Sequence, residues 1–336
     1  MIKKRNLDPA LKNWIMSEAG LGPIIGNVYY VAPVVSTTSH FREAMADAGI
    51  DTIYATLAEA YAKTVTDRND VIIVAPGIYT TTAELAWTKD CVHLIGSNAG
   101  MPNGDWTLTP GCPVFTTATI TQANILNLTG ERNTFHNIIF ENYGNNAACL
   151  QAVTVDGYGN SFYNCGFNGV MLANQISTAA ACSLNIAGGA YYSYFENCLI
   201  GQSEWGIRTS TTQGQVRFTS TSASPAYGHF NKCVFRSHAE TAGVPMVYVA
   251  AQYAAGGYWR YTDCLFFNFW TNYASKCSAA FSNNGVSSQW HVLERCTAVG
   301  YTEWITNDTG EWVVGAIQSS GSGGGVAEIL NAAAEA

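Results

Sequence analysis

A short phrase that returns six times at nearly regular spacing constrains this chain more than any other feature. Each copy has an apolar residue, two mostly polar residues, Cys or Ile, any residue, and usually a second apolar residue. The fourth position is occupied by Ile138, Cys165, Cys198, Cys233, Cys264 and Cys296. These positions are separated by 27, 33, 35, 31 and 32 residues. A period of this size indicates a solenoid, in which each repeat stacks on the one before it.

The phrases have the composition of β-strands rather than of helices. They are short, rich in Phe, Tyr, Val, Ile and Thr, and bounded by Gly or Asn. No helical period of about 3.6 residues continues across a repeat, which argues against solenoids built from pairs of helices. Strands from successive coils would pair in parallel about 4.8 Å apart, so equivalent residues would lie directly above one another.

This stacking predicts rows of similar side chains inside the solenoid. The first position of the phrase would form an aromatic row, and the fourth position would form a row of Ile and Cys. These structural ladder residues are Phe135, Phe162, Phe195, Phe230 and Tyr261 in the first row, and Ile138, Cys165, Cys198, Cys233, Cys264 and Cys296 in the second. Cys149 and Cys182 each precede a row cysteine by 16 residues and predict a further row.

A polar residue comes directly before each position of the cysteine row. The first three are Asn137, Asn164 and Asn197, and the later ones are Lys232, Asp263 and Arg295. Asn and Asp tolerate the left-handed backbone region, so a one-residue bend there would turn one strand into the next. Stacked Asn side chains would also hydrogen-bond to one another along the solenoid. The alternative is that these Asn are ordinary turn residues.

Two features of the sequence resemble the pectin-lyase-like superfamily. One is the segment DVIIVAPGIYT at residues 70–80, and the other is the recurring Phe-x-Asn-Cys-x-Phe phrase. The resemblance spans roughly residues 50–315. It implies an all-β fold, a right-handed single-stranded parallel β-helix with a helix at its N-terminal end. Residues 56–63 lie where that helix would be. Because one fold hosts many functions, the resemblance does not by itself imply an activity.

We expect one elongated domain with short additions at both ends. The parallel β-helix would occupy residues 51–318, after an N-terminal arm and cap in residues 1–50. A Ser/Gly linker and tail would follow in residues 319–336, with residues 326–336 forming an Ala-rich helix or a disordered tail.

The N-terminal arm is predicted to contain a helix over residues 7–19. Asp8 suits its N-cap, Pro9 its first turn and Gly20 its end. One face of this helix carries the apolar residues Leu7, Leu11, Trp14 and Ile15. That face would either cap the solenoid of its own chain or dock on a partner.

The composition excludes several classes of protein. Charged residues make up 12%, about half the usual share of roughly 25%, and the net charge of −8 comes without a basic patch, so nucleic acid is not an expected partner. No apolar run reaches the roughly 18 residues of a membrane span. The basic stretch MIKKRN leads into no apolar run, so no secretory signal is predicted.

The ten cysteines are therefore expected to be free thiols in a reducing cytoplasm. Because no CxxC pair occurs, a zinc site is not predicted, and no other metal or cofactor is assigned.

No catalytic constellation is evident. The resemblance implies a paired-Asp motif and a Gly-His-Gly motif for polygalacturonases, and both are absent. Hydrolysis of a glycoside needs two facing carboxylates, but the acids are scattered singly: Asp156, Glu196, Glu204, Asp263, Glu294, Glu303 and Asp308. Glu196 and Glu294 share a ladder position, yet three coils would separate them by about 14 Å. No catalytic residue is assigned.

Basic and aromatic residues outside the rows leave other roles open. Arg208 and Arg217 have no evident acid partner, and His136, His229 and His291 are interpreted as turn or surface residues rather than catalytic ones. Some aromatic residues between the phrases are expected to be exposed or buried against another chain. These are Tyr191, Tyr192, Tyr194, Tyr253, Tyr258, Trp259, Trp270, Tyr273, Trp290, Tyr301 and Trp304.

Two classes of function fit these patterns. The first is a non-enzymatic structural protein of a bacteriophage virion, made in the host cytoplasm without a signal peptide. We expect a homotrimer that decorates the capsid and contacts the major capsid protein or another virion protein, with a tail spike or fibre segment as the near alternative. The second class is a carbohydrate-active enzyme, a polysaccharide lyase or hydrolase, or a β-helix that binds surface glycans through its aromatic residues.

Overall fold

The computed structural model describes most of the solenoid. The described residues are 26–33, 42–43, 53–97, 112–117, 121–201, 206–219, 225–250, 257–269, 277–283, 290–305, 313–314 and 328–330. The predicted helix at residues 7–19, with its apolar face of Leu7, Leu11, Trp14 and Ile15, lies outside them.

Nearly all described secondary structure belongs to three parallel β-sheets. Sheet A contains, in spatial order, β2 (Ile53–Tyr54), β1 (Val28–Val31), β3 (Asp70–Val74), β6 (Val92–Gly96), β9 (Thr134–His136), β12 (Ser161–Tyr163), β15 (Tyr194–Glu196), β18 (Gly228–Asn231), β21 (Tyr258–Thr262), β24 (Trp290–Glu294) and β27 (Val313–Val314). Sheet B contains β4 (Gly77–Thr81), β7 (Pro113–Thr117), β10 (Ile139–Glu141), β13 (Gly166–Asn168), β16 (Leu199–Gly201), β19 (Val234–His238), β22 (Leu265–Phe269), β25 (Thr297–Val299) and β28 (Glu328–Leu330). Sheet C contains β5 (Leu85–Trp87), β8 (Leu126–Leu128), β11 (Gln151–Val155), β14 (Cys182–Ala187), β17 (Val216–Thr219), β20 (Val247–Val249), β23 (Cys277–Asn283) and β26 (Tyr301–Ile305). Two short helices are described, α1 (Leu57–Lys63) and α2 (Ala173–Ile176).

The chain visits the sheets in the fixed order A, B, C. Each set of three successive strands from β3 to β26 makes one coil, and each strand pairs in parallel with its equivalent in the next coil. This confirms the predicted fold class, an all-β right-handed parallel β-helix.

The β-helix extends beyond the predicted boundaries at both ends. β1 was assigned to the N-terminal arm and cap, yet it pairs with β3 over four residues in sheet A. β28 lies in the stretch predicted as a helix or disordered tail, yet it pairs with β25 in sheet B. Both differences have one physical cause. The last strand of a solenoid leaves backbone donors and acceptors unpaired, and an adjoining segment of the chain satisfies them.

Helix α1 closes the N-terminal end of the hydrophobic core, as predicted for residues 56–63. Thr56 and Glu59 form a capping box, because the Thr56 hydroxyl accepts from the Glu59 N–H while the Glu59 carboxylate accepts from the Thr56 N–H. Leu57 and Ala60 are buried in the same cluster as the first strands. This packing covers apolar side chains that the first coil would otherwise expose to water.

Inside the solenoid, aromatic rings stack from coil to coil. Ring centroids are 4.7 Å apart between Phe135 and Phe162, 4.9 Å between Phe162 and Phe195, and 4.6 Å between Phe195 and Phe230. Tyr261 continues the row at 5.2 Å from Phe230. Stacked aromatic pairs of this kind contribute about 0.5–1.5 kcal/mol each beyond the burial of their area.

The cysteine row lies beside the aromatic row, at the corner between sheets A and B. Ile138, Cys165, Cys198, Cys233, Cys264 and Cys296 are all buried. Each row thiol donates to backbone carbonyls, as Cys198 does to Phe162 in the preceding coil and to Glu196 in its own. A small apolar side chain with one weak donor therefore fits this corner without leaving the donor unpaired.

One residue in the left-handed backbone region forms the bend between sheets A and B in each of the six coils that contain the phrase. The φ angles are 56° at Asn137, 53° at Asn164, 52° at Asn197, 53° at Lys232, 53° at Asp263 and 52° at Arg295. Asn164 Nδ2 donates to Asn137 Oδ1 at 2.7 Å, and Asn197 Nδ2 donates to Asn164 Oδ1 at 3.2 Å. The Asn side chains thus form a hydrogen-bonded ladder along this corner.

The further cysteine row predicted from Cys149 and Cys182 is wrong. In sheet C, Cys182 pairs with Gln151, so the two cysteines are not in register. The turn that follows differs in length between the two coils, with six residue steps from Val155 to Ser161 but eight from the paired Ile186 to Tyr194. Equal spacing along the sequence therefore does not mean equal height in the solenoid.

We expect the Phe195→Asp variant to be severely destabilised, because a carboxylate would replace a ring stacked between two others in the core. The loss is at least the roughly 3–5 kcal/mol of a buried Phe truncation. Thermal and urea unfolding measure it. Ile78→Asp is the matched control, since Ile78 is exposed in β4, and an equal loss in both variants would contradict the assignment of Phe195 to the interior row.

We expect Asn164→Gly and Lys232→Gly to differ in stability although both replace the left-handed bend residue. Gly adopts this conformation freely in both, but only Asn164→Gly removes side-chain hydrogen bonds to the neighbouring coils. Asn164→Gly should cost about 1–3 kcal/mol, at about 0.5–1.5 kcal/mol for each of two bonds. Lys232→Gly should be neutral or slightly stabilising. Urea unfolding of both variants measures the difference, and equal free energies would show that the ladder bonds add nothing.

Candidate functional site

The most prominent feature of the described surface is a line of five exposed aromatic residues, here called the aromatic strip. It consists of Tyr158, Tyr192, Tyr227, Tyr258 and Trp290, with exposed fractions of 44%, 53%, 40%, 45% and 48%. The residues belong to five successive coils. Tyr158, Tyr192 and Tyr227 lie in the turns from sheet C to sheet A, and Tyr258 and Trp290 are the first residues of the sheet A strands β21 and β24. At about 4.8 Å per coil, the aromatic strip is about 19 Å long.

The rings of the aromatic strip contact one another along the solenoid. Centroids are 5.4 Å apart between Tyr158 and Tyr192, 5.2 Å between Tyr192 and Tyr227, and 5.4 Å between Tyr227 and Tyr258. Tyr192 and Tyr227 stack face to face, whereas the outer two pairs meet edge to face. Tyr258 and Trp290 are register partners in sheet A.

Only part of this surface was predicted from the sequence. Tyr192, Tyr258 and Trp290 were among the predicted partner-facing residues, but Tyr158 and Tyr227 were missed. A sequence signal was available, because Tyr192, Tyr227, Tyr258 and Trp290 each stand three residues before the first position of a phrase. Three other residues in that group, Trp259, Tyr301 and Trp304, are instead buried core residues of strands.

Beside the aromatic strip, the outward polar side chains of sheet A pair with one another. The Tyr194 hydroxyl donates to Glu196 at 3.1 Å and accepts from Asn231 Nδ2 at 3.1 Å. Two coils further on, Arg260 forms an ion pair with Glu294. These side chains form hydrogen bonds and ion pairs with one another across neighbouring coils. They therefore form a polar lattice, and they do not converge on a point where a ligand could bind.

The outward face of sheet C carries a similar chain of hydrogen bonds. Asn124 Nδ2 donates to Glu84 at 2.6 Å, and Thr154 donates to Asn124 Oδ1 at 3.0 Å. Asn185 Nδ2 donates to Thr154 at 3.4 Å, and Thr219 donates to Asn185 Oδ1 at 2.6 Å. The chain links five coils and stabilises their register.

One cluster of acids was not predicted from the sequence, in which the acids are scattered singly. Asp67, Asp90 and Glu131 surround the guanidinium of Arg132, with oxygen-to-nitrogen distances of 3.0, 3.9 and 3.4 Å. Their separation in sequence hid the cluster, because three different turns bring them together. Arg132 neutralises part of their charge, and at the described positions no group of His, Cys, Asp and Glu could hold a metal ion.

The two acids predicted to share a row of sheet A are too far apart to act as a glycosidase pair, and the closer pair of Asp263 and Glu294 binds the guanidinium of Arg295. Glu196 and Glu294 occupy one row of sheet A with Asn231 and Thr262 between them, about 14 Å apart at the strand spacing. Glycosidase carboxylates lie roughly 5–10 Å apart. Burial raises the pKa of Glu141 in sheet B, but its register partners are Thr116 and Asn168 and not a second acid.

The two arginines without an acid partner, Arg208 and Arg217, contact other parts of the solenoid. Arg208 is fully buried and donates to Gln213, to the Ser237 hydroxyl and to the Pro245 carbonyl. A substrate therefore has no access to its guanidinium. Arg217 lies on the outward face of sheet C, with its guanidinium carbon 5.9 Å from the centre of the Tyr248 ring.

The three candidate histidines differ in their surroundings. His136 stacks on Tyr163 on the outward face of sheet A, and burial together with the nearby His93 lowers its pKa to about 4. His229 contacts the Thr262 hydroxyl at 3.0 Å. The prediction that His291 is a turn or surface residue is wrong. It is fully buried, its Nδ1 lies 3.0 Å from the Tyr261 hydroxyl, and burial lowers its pKa to about 3.

Comparison with known proteins identifies the fold but no family. No family model and no curated protein matches the sequence. A pectin methylesterase from carrot matches in structure with a TM-score of 0.51 at 14% identity, over 83% of this chain and 78% of that one. Pectin methylesterase PemA from Erwinia chrysanthemi matches with a TM-score of 0.43 at 11% identity, over 83% and 80% of the two chains. The tailspike protein gp49 of Acinetobacter baumannii bacteriophage Fri1, a capsular polysaccharide depolymerase, matches with a TM-score of 0.35 at 12% identity, over 73% and 50%.

The carrot protein supports the fold alone, and the two lower scores carry no argument. The chain is a right-handed parallel β-helix. It shares this fold with the pectin methylesterase from carrot. The activities of these proteins do not transfer at such low identity. At the described positions, no helix has the length and apolar character needed to span a bilayer.

We expect stability to fall as the pH is lowered from about 6.5 towards 3, in part because of His291. The unfolded chain takes up a proton at the ordinary His pKa of about 6.5, whereas the folded chain resists protonation until about pH 3. One such group contributes up to about 1.4 kcal/mol per pH unit in this window.

The variant His291→Gln removes this proton while retaining a side chain that can hydrogen-bond to Tyr261. Its unfolding free energy should depend less steeply on pH between 6 and 4 than that of the unmodified protein. Urea unfolding at several pH values measures both slopes. An unchanged slope would contradict the neutral, buried assignment of His291.

Proposed function

We propose that this chain is a non-enzymatic structural protein of a bacteriophage virion. In this proposal it assembles as a homotrimer, decorates the capsid and binds the major capsid protein or another virion protein. The supporting observation is that the polar groups on its surface are already paired with one another. The outward groups of sheets A and C pair with one another from coil to coil. The described acids that lie close together are paired with an arginine, Asp67, Asp90 and Glu131 with Arg132, and Asp263 and Glu294 with Arg295.

The cysteines support assembly in a reducing cytoplasm. All ten are free thiols, and most of them are buried. Burial raises the pKa of Cys198, Cys233 and Cys264, so these thiols are protonated and unreactive at neutral pH. A protein that completes its folding inside a host cell needs no disulfide to form.

Two alternatives have observations in their favour. A tail spike or fibre segment would use the same elongated solenoid, with the particle-binding function in another segment. A carbohydrate-active or glycan-binding protein would use the aromatic strip to stack sugar rings. The half-buried carboxyl of Glu141, with its raised pKa, is the described group closest in character to a catalytic acid.

We expect the purified chain in reducing buffer to have a native mass of three times 36.1 kDa. It should co-sediment with shells assembled from the major capsid protein of its own phage, which identifies the partner. The same preparation is screened against neutral and acidic polysaccharides for cleavage and for binding. A trimer that binds shells and cleaves no polysaccharide supports the proposal. A monomer that does not bind shells and that cleaves a polysaccharide would overturn the proposal.

A further inference from the structure

We infer that the aromatic strip is the contact through which three copies of this chain assemble. This inference rests on the proposed homotrimer and specifies its interface. The partner is a second copy of this chain, and the central contact residues are Tyr158, Tyr192, Tyr227, Tyr258 and Trp290.

The backbone shows that aromatic residues occupy the strip at a conformational cost. Tyr192 and Tyr227 have φ angles of 55° and 58°, in the left-handed region that bulky residues rarely adopt. Gly159 occupies the equivalent corner one coil earlier with a φ of 66°. Arg132 occupies the same corner a further coil earlier with a φ of 55°, and glycine or asparagine would avoid the cost at all these positions. Strain of this kind is concentrated at functional positions.

Charge favours this surface for self-association. The chain has a net charge of −8, so two copies carry net charges of the same sign and repel each other at long range. The aromatic strip is uncharged across five coils, and the nearby Arg260 and Glu294 of sheet A form an ion pair. An uncharged aromatic centre beside internally paired charges is the composition expected of a protein contact.

The spacing of the strip also fits an identical partner. The rings repeat once per coil, at centroid distances of 5.2–5.4 Å between Tyr158 and Tyr258. A second copy has the same rise per coil, so parallel chains around a three-fold axis would bring equivalent rings to the same height in every coil. A partner with a different repeat would lose this match within a few coils.

A polysaccharide is the less favoured occupant. Stacking of sugars requires open ring faces, but Tyr192 and Tyr227 present their faces to each other with an interplanar angle of 21°. Sugar recognition also uses hydrogen-bonding groups that converge on the ligand. The neighbouring Tyr194, Glu196 and Asn231 are already engaged with one another.

The exposed area suits the centre of an interface. A fully buried aromatic side chain contributes about 150–250 Å², so five half-exposed rings offer on the order of 500 Å² per chain. A standard interface buries about 800 Å² per partner. The polar lattice of sheet A beside the strip would supply the remaining area as a rim.

The test compares the double variant Tyr192→Asn/Tyr227→Asn with the unmodified chain. Asn tolerates the left-handed backbone, so the fold should be retained, which the far-ultraviolet spectrum and the melting temperature of the monomeric form check. Tyr143→Asn is the matched control, since Tyr143 is 38% exposed and lies outside the strip. Sedimentation velocity measures the mass, and shell co-sedimentation is measured in parallel.

We expect the double variant to fall to 36.1 kDa while the Tyr143→Asn control remains at three times that mass. A double variant that stays trimeric would overturn the inference and leave the proposed function intact. A monomeric unmodified chain would overturn both the inference and the proposed assembly. If that monomer bound a polysaccharide, and the double variant did not, the strip would be a glycan site instead.

Discussion

Register between successive coils is the constraint on which this structure depends. Six successive coils leave sheet A through one residue in the left-handed region, with φ between 52° and 56° at all six corners. Because the bend is the same, equivalent residues lie one strand spacing apart and their side chains stack. The backbone hydrogen bonds between coils, the phenylalanine row and the Asn ladder all follow from this match, and each of them reinforces it.

The same register organises the outside of the solenoid. A side chain that points outward in one coil has its nearest neighbours at the equivalent positions of adjoining coils, so outward residues also form rows. In sheets A and C these rows are polar lattices that satisfy themselves, and at the corner between them the row is aromatic. A solenoid can thus build a long continuous contact surface easily. A catalytic pair of carboxylates on such a surface needs acids at neighbouring positions of adjoining coils without a cation between them.

Sequence reasoning predicted features inside the repeated phrase better than features between phrases. Within the phrase, the offsets that separate Phe195 from Asn197 and Cys198 are the same in all six copies, so position in the sequence predicts position in space. Between phrases, turn length varies. The two-residue difference after sheet C made the predicted pairing of Cys149 with Cys182 wrong. Turns also bring Asp67, Asp90 and Glu131 around Arg132, and no local sequence pattern predicts this cluster.

The sequence by itself determined the solenoid architecture, the parallel strand pairing and the rows of the phrase, because strand-like phrases that recur at a nearly regular period place equivalent residues above one another in successive coils. Tertiary structure decided where β1 and β28 belong, that His291 is buried, and that five aromatic residues form one exposed line. These features depend on which turns bring distant residues to the same position along the solenoid axis. That position is set by the summed lengths of all preceding turns, which a local sequence pattern does not predict.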